Sequence, residues 1–203
     1  MSLEHILLGM LHVPASGYDI KSDFSQGTRY FWSAELSQIY PVLQKLETRG
    51  WLKSRIEPPT KGPPRRVYDR TAKGRRELIG WLNAGPQMGT ERFAYLGQLC
   101  FMHELNDMEA SSKFMLDLKV RLGEFLAWLR QAESELTRGG TEDLDNLNSE
   151  DFHVVLAMRM GIHSLGAKVR WCDESLEQID NRRQSSKMKD RESTAKRKEV
   201  RSG

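Results

Sequence analysis

The sequence predicts a mainly α chain with a small β-hairpin: a compact helix-turn-helix unit followed by a helical, coiled-coil-like unit. Three observations predict it. Apolar residues recur at helical spacing through most of the 203 residues. The period drops to two only around LKSRIE and RRVYDRT, which flank the proline-rich stretch PPTKGPP. Beyond residue 105, two apolar stripes keep alternating steps of three and four over many turns, the spacing of helices that pair side by side.

The elements follow in order. LEHILLGMLH, residues 3–12, is apolar enough for a mostly buried helix, and Pro14 and Gly17 in VPASGYDI interrupt it. GYDIKSDFSQG reads as a second, amphipathic helix with Tyr18 at its start and Gly27 at its end. In SAELSQIYPVLQKLETRGW, residues 33–51, Leu36, Ile39, Leu43 and Leu46 form one face, and the outer face carries Ser37, Gln38, Tyr40, Gln44 and Lys45. Pro41 interrupts this pattern. It is tolerable if the regular helix begins between Ala34 and Ser37, because the first N–H groups of a helix have no internal partner. Gly50 suits the left-handed position after the helix end. Leu52, Ser54 and Ile56 then face one way along a strand, and Lys53, Arg55 and Glu57 the other. After the returning strand, Thr71 is placed to cap the helix AKGRRELIGWL, and NAGPQMG marks the boundary of a first domain at 1–83.

The second domain, 84–181, is expected to be helical throughout. ERFAYLGQLCFMHEL is its first helix, and Asn106 with Glu109 suggests a capping box for the next. There Met115, Leu118, Leu122, Phe125, Leu129, Ala132 and Leu136 share a face. After the loop TRGGTEDLDNLN, a long helix from about residue 149 to 179 aligns Val155, Met158, Ile162, Leu165, Val169, Cys172, Leu176 and Ile179. This last stripe is the expected dimerisation surface, the alternative being that both stripes pack within one chain as an antiparallel bundle. Residues 182–203 hold almost no large apolar side chain, so a disordered basic tail is expected.

Charge is distributed unevenly. Residues 1–85 carry 13 Lys/Arg against 8 Asp/Glu, residues 86–181 carry 9 against 17, and residues 182–203 carry 9 against 3. A basic first domain beside an acidic second one implies that only the first meets a polyanion. No apolar run approaches membrane-spanning length, and SLEHILLGMLHVP is interrupted by Glu4 and His5, unlike a secretory leader. Cys100 and Cys172 are expected to be buried free thiols, which suits a cytoplasmic setting.

Enzymatic readings find no constellation. His5, His12, His103, His153 and His163 show no metal-ligand spacing, and neither a phosphate-binding glycine loop nor a nucleophile elbow is present. No catalytic residue, metal or cofactor is therefore assigned. A helix-turn-helix with a basic hairpin lays its second helix in the major groove of double-stranded DNA, N-terminal residues against base edges. Ser37 and Gln38 are then placed to meet bases, with Gln44 further along the same helix, and Tyr40 to reach a phosphate. Lys61, Arg65 and Arg66, with Lys21 on the preceding helix, supply cations for the backbone or the minor groove. The alternative is a winged-helix module that binds proteins and never touches DNA.

ILLGMLHVPASGYDIKSDF, FWSAELSQIYPVLQKLETRGWLKS and GPPRRVYDRTAKGRREL resemble the winged helix-turn-helix domain of PadR-family transcriptional regulators. The matching features are the GYDI opening, the Tyr-Pro pair in IYPVLQKLE, the GPPRR wing and the T-x-x-G after it. The later helices are similar in pattern to the C-terminal domain of the subgroup related to virulence-gene activators. The resemblance implies a homodimeric, usually repressing regulator that binds an inverted-repeat operator. It implies DNA contacts at Tyr18, Ser37, Tyr40, Pro41, Lys61, Arg65 and Arg66. It also implies response to a small aromatic or lipophilic effector, for which Trp128 and Trp171, beside the long stripes, are the candidates, with core packing or an interface anchor as the alternative role for both.

Overall fold

The computed structural model describes residues 3–26, 34–58, 64–89, 92–138 and 144–199, and the chain divides into two compact units, Met1–Glu91 and Arg92–Gly203. In the first unit the order is α1 (Leu3–Met10), β1 (Ala15–Ser16), α2 (Gly17–Gln26), α3 (Leu36–Thr48), β2 (Leu52–Glu57), β3 (Arg65–Arg70) and α4 (Ala72–Asn83). The second holds α5 (Ala94–Phe101), a 3-10 turn (Met102–Leu105), α6 (Met108–Leu136) and α7 (Ser149–Glu199). No helix among the described residues is long and apolar enough to cross a membrane.

The core of the first unit forms where the apolar faces of α1, α2 and α3 meet. Leu7, Leu8, Leu11, Ile20, Phe24, Ile39, Leu43 and Leu46 are buried together with Leu52 and Tyr68 from the sheet. Each such side chain, withdrawn from water, contributes about 1.5–3 kcal/mol of gross stabilisation. The antiparallel sheet has the order β1-β3-β2, with Leu52 opposite Arg70 and Glu57 opposite Arg65. The expected hairpin is therefore one strand short. Ala15 and Ser16, read as an interruption, pair with Tyr68 and Val67. The strand alternation holds for Leu52 and Ser54 but fails at Ile56, which is exposed near the hairpin end.

Two joints close this unit. Thr71 caps α4 as expected: its Oγ1 accepts from the Gly74 N–H at 3.1 Å and donates to the Gly50 carbonyl at 2.8 Å. His5 on α1 stacks on Trp81 of α4, with ring centroids 5.1 Å apart. Gly50 takes φ +70° after the end of α3, where a side chain would be strained.

Glu4 ties α1 to the outer edge of α3, reaching Lys45 at 2.6 Å and Arg49 at 2.8 Å. Its hydrogen bond to Lys45 holds its carboxyl below the usual range against the opposing effect of burial. Asp19 is lowered by hydrogen bonds from Ser16, and Glu57 by those from Arg55 and Arg65. Asp23 is shifted the other way, by burial and by neighbouring Asp19. A carboxyl depressed by folding stabilises the fold above its unfolded pKa, and that contribution disappears as pH falls through the folded value. With three depressed against one raised, the thermal midpoint should drop as pH falls from about 6 to about 3. Melts across that window should show Glu4→Gln flattening the decline.

In the second unit α6 and α7 run antiparallel, joined by the ion pairs Glu109–Arg183, Lys119–Asp173 and, at 2.7 Å, Glu133–Arg159. Several expectations change here. Val155, Met158, Leu165 and Cys172 are buried within the chain, Cys172 against Met115 and Leu118 of α6. The stripe assigned to dimerisation thus supplies the seam between α6 and α7. Ile162, Val169, Leu176 and Ile179 are half-buried. Asn106 does not cap α6, because it adopts φ +49° to close the 3-10 turn; the cap is Asp107, whose carboxylate accepts from the Glu109 N–H at 2.8 Å. Cys172 is buried as expected but Cys100 is exposed, on α5, none of whose residues is fully buried. The helix also continues to Glu199 where a disordered tail was expected. Residues 182–199 contain neither Gly nor Pro and are rich in good helix formers, so nothing local stops it.

Candidate nucleic-acid interface

The N-terminus of α3 is built from three side chains. Glu35 is the N-cap, with extended backbone, and its N–H donates to Gln38 Oε1 at 3.0 Å. Lys21 on α2 donates to Glu35 Oε1 at 2.7 Å and to the Ala34 carbonyl at 3.2 Å. The helix therefore begins at Leu36, within the expected window. Pro41 is its sixth residue, beyond the first turn, so its missing N–H leaves the Ser37 carbonyl without its usual donor. Gln38 and Lys21, both expected to contact DNA, are engaged in fixing this helix start.

Beyond the cap, Ser37, Tyr40, Gln44 and Glu47 follow each other at steps of three, four and three, so they share a face of α3. The first three are exposed, as is Pro41 beside them. Tyr40 lies against the start of α2: a Cβ on Gly17 would come within 2.6 Å of its ring, which explains a glycine before the exposed Tyr18.

The wing joins this face at Glu47. Arg66 Nη2 donates to Glu47 Oε2 at 2.8 Å, and Arg66 Nε donates to Ser54 Oγ at 2.8 Å. Ser54 Oγ in turn donates to Glu47 Oε1 at 2.6 Å. Arg66 also lies over the Tyr68 ring, 5.6 Å from its centroid. Arg65 lies beside it in sequence but is held differently, to Glu57 Oε2 at 3.0 Å and to Asp19 at 3.6 Å. Lys61 lies outside the described residues. The stripe Ser37-Tyr40-Gln44, Tyr18 and the two wing arginines are thus brought into one neighbourhood. Glu47, Ser54 and Asp19, which organise it, were not singled out from the sequence. The one available signal was the helical spacing that puts Glu47 in line with Gln44.

The two tryptophans are not brought together. Trp171 lines a groove of about 460 Å³ with Leu99, Met115, Glu174, Ser175, Gln178 and Ile179. Trp128 stacks on Phe125 of its own helix, centroids 5.6 Å apart. The cross-helix ion pairs place Trp128 level with Ser164, seven residues or about 10 Å along the axis from Trp171. No cluster of His, Cys, Asp or Glu among the described residues is arranged to hold a metal ion.

A three-helix unit with a short sheet, an exposed polar face on its third helix and arginines on the adjoining strand defines a winged helix-turn-helix DNA-binding protein. The comparisons agree. Residues 6–79 match the transcriptional regulator PadR-like family. The negative transcriptional regulator PadR of Bacillus subtilis is 31% identical over 180 residues, spanning 88% of this chain and 97% of that protein. This chain belongs to the PadR-like family of transcriptional regulators. Its fold is similar to that of Bacillus subtilis PadR in complex with operator DNA, with TM-score 0.73 and 25% identity over 87% of this chain and 97% of that one. It is also similar to the same regulator in complex with p-coumaric acid, with TM-score 0.65 and 28% identity over 88% and 95%.

Proposed function

We propose that this protein is a homodimeric transcriptional repressor that binds an inverted-repeat operator and is released from it by a small aromatic molecule. The observation that carries the reading is the exposed Ser37-Tyr40-Gln44 face, continued onto the wing through Glu47 and Arg66. Hydroxyl and amide groups on a groove-sized helix read base edges, while Arg65 on the adjoining wing holds phosphate. The negative regulation and operator binding of the Bacillus subtilis relative support the same assignment.

A second copy is supported by the apolar side chains left outside the α6–α7 seam: Leu156 and Met160 on α7, Leu116 and Val120 on α6. Two-fold pairing matches two half-sites separated by whole helical turns. For the effector, the groove beside Trp171 offers an aromatic wall with Glu174, Ser175 and Gln178 at its rim. The relative's complex with p-coumaric acid supports that chemistry.

The test is binding to a duplex selected by the protein from a randomised library, measured against random duplex. The double variant Ser37→Ala, Gln44→Ala should lose roughly 2–4 kcal/mol on the selected duplex and little on random DNA. Arg65→Ala should weaken both and flatten the salt dependence by about one unit of log K per log salt. A selected duplex bound equally well by the α3 double variant would remove α3 from sequence reading.

A further inference from the structure

The two wing arginines are chemically identical, yet the structure holds them in different ways. Arg66 is gripped along one edge of its guanidinium, Nε by Ser54 at 2.8 Å and Nη2 by Glu47 at 2.8 Å, with Tyr68 lying against one face. Glu47 is itself fixed, since Ser54 donates to its other oxygen at 2.6 Å. The three side chains close a ring of hydrogen bonds between α3, β2 and β3. This consumes the Nε proton and one Nη2 proton of Arg66. Among the described residues it leaves both Nη1 protons and the second Nη2 proton without a partner, forming a planar two-pronged end. Arg65 has no comparable arrangement: Nε and Nη2 share a single oxygen of Glu57, and Nη1 lies 3.6 Å from Asp19.

A fork whose direction is set before binding discriminates between acceptor geometries, because misaligned acceptors cannot recruit it without breaking the ring. Arg65, whose Nε and Nη2 converge on one surface oxygen of Glu57, can exchange that partner for a phosphate without breaking a ring. We propose that Glu47 and Ser54 are positioning residues that make Arg66 a sequence-discriminating contact, while Arg65 serves the phosphate backbone alone. This rests on the DNA-binding reading above. It also accounts for a carboxylate on the very face of α3 that meets a polyanion. Glu47 costs general attraction to DNA and in return fixes the direction of one arginine.

The experiment measures affinity for the library-selected duplex and for random duplex, with thermal melts to confirm folding. Glu47→Ala removes a negative charge and frees Arg66. It should raise affinity for random DNA about twofold and lower the selected-to-random ratio about tenfold. Ser54→Ala, a milder change, should lower the ratio about threefold with random affinity unchanged. Arg66→Lys keeps the charge and loses the fork, so the ratio should fall while the salt slope stays. Arg65→Lys should leave the ratio as it was. In the Arg66→Ala background, adding Glu47→Ala should lower the ratio no further. A parallel fall on both duplexes, or an unchanged ratio in Glu47→Ala and Ser54→Ala, would overturn the assignment. If Arg66→Ala binds the selected duplex as well as the parent does, Arg66 is no contact and the assignment fails while DNA binding stands. If the library yields no enriched sequence, the DNA-binding reading fails and takes the assignment with it.

Discussion

Replacing Cys172 by Asp should unfold the helical unit. Cys172 is fully buried against Met115 and Leu118, and burial already pushes its thiol pKa up. A carboxylate there must either remain charged in an apolar seam or take up a proton, and Lys119, whose charge reaches this position, is already paired with Asp173. A buried uncompensated charge costs about 3–5 kcal/mol, a large share of the stability of a unit this size. Circular dichroism should show helix loss at temperatures where the parent is intact. Leu156→Asp provides the contrast, since Leu156 is exposed on the same helix. It should keep the parent's helix content at ambient temperature and, in sedimentation, lose the self-association proposed for the parent. A fully folded, thermally unchanged Cys172→Asp variant would show that the seam is looser than its burial implies.

Gly74→Ala should damage the first unit through a single methyl group. A Cβ at Gly74 would stand 2.2 Å from the Trp51 carbonyl oxygen, which belongs to the backbone and already accepts from the Thr71 N–H at 3.0 Å. The start of α4 must shift, loosening the Thr71 cap as it does so. A loss of about 2–4 kcal/mol follows from overpacking plus a weakened cap. That corresponds to a drop of the thermal midpoint on the order of 10 °C or more. Gly80 lies on the same helix with nothing within 4 Å of an added Cβ. There the same substitution should stabilise by about 0.5–1 kcal/mol, because alanine loses less backbone freedom on entering a helix. Opposite signs for two Gly→Ala changes six positions apart would separate packing from propensity in one pair of melts.

The first unit was largely legible because its signals are local. Periodicity located α1 to α4 and both long strands, Thr71 announced its own cap, and Gly50 marked the end of α3. What escaped depends on partners distant in sequence. Ala15 and Ser16 form too short a strand to show a period, and only β3 makes them one. In α7 the spacing of Val155, Met158, Leu165 and Cys172 specifies that a helix packs there, not whose helix. Connection to α6 through residues 137–148 gives the intrachain partner the advantage, since closing a loop within one chain costs less entropy than bringing in a second chain. At the surface proposed to face DNA the exposed donors of α3 could be read from the sequence. The reassignment of Gln38 and Lys21 to the helix start could not, nor could the Glu47-Ser54-Arg66 ring, which joins residues 7 to 19 positions apart.

The stacking of His5 on Trp81 sets a condition on synthesis. α1 supplies Leu7 and Leu8 to the core, with Leu11 just past its end, yet its outer side is closed by α4, at the opposite end of the unit's sequence. A chain leaving the ribosome in order exposes α1 first and Trp81 last. Until about residue 81 has emerged, the growing chain lacks the helix that covers α1, so its apolar surface stays open to water and to other chains. The whole first unit must therefore be made before any of it is fully enclosed.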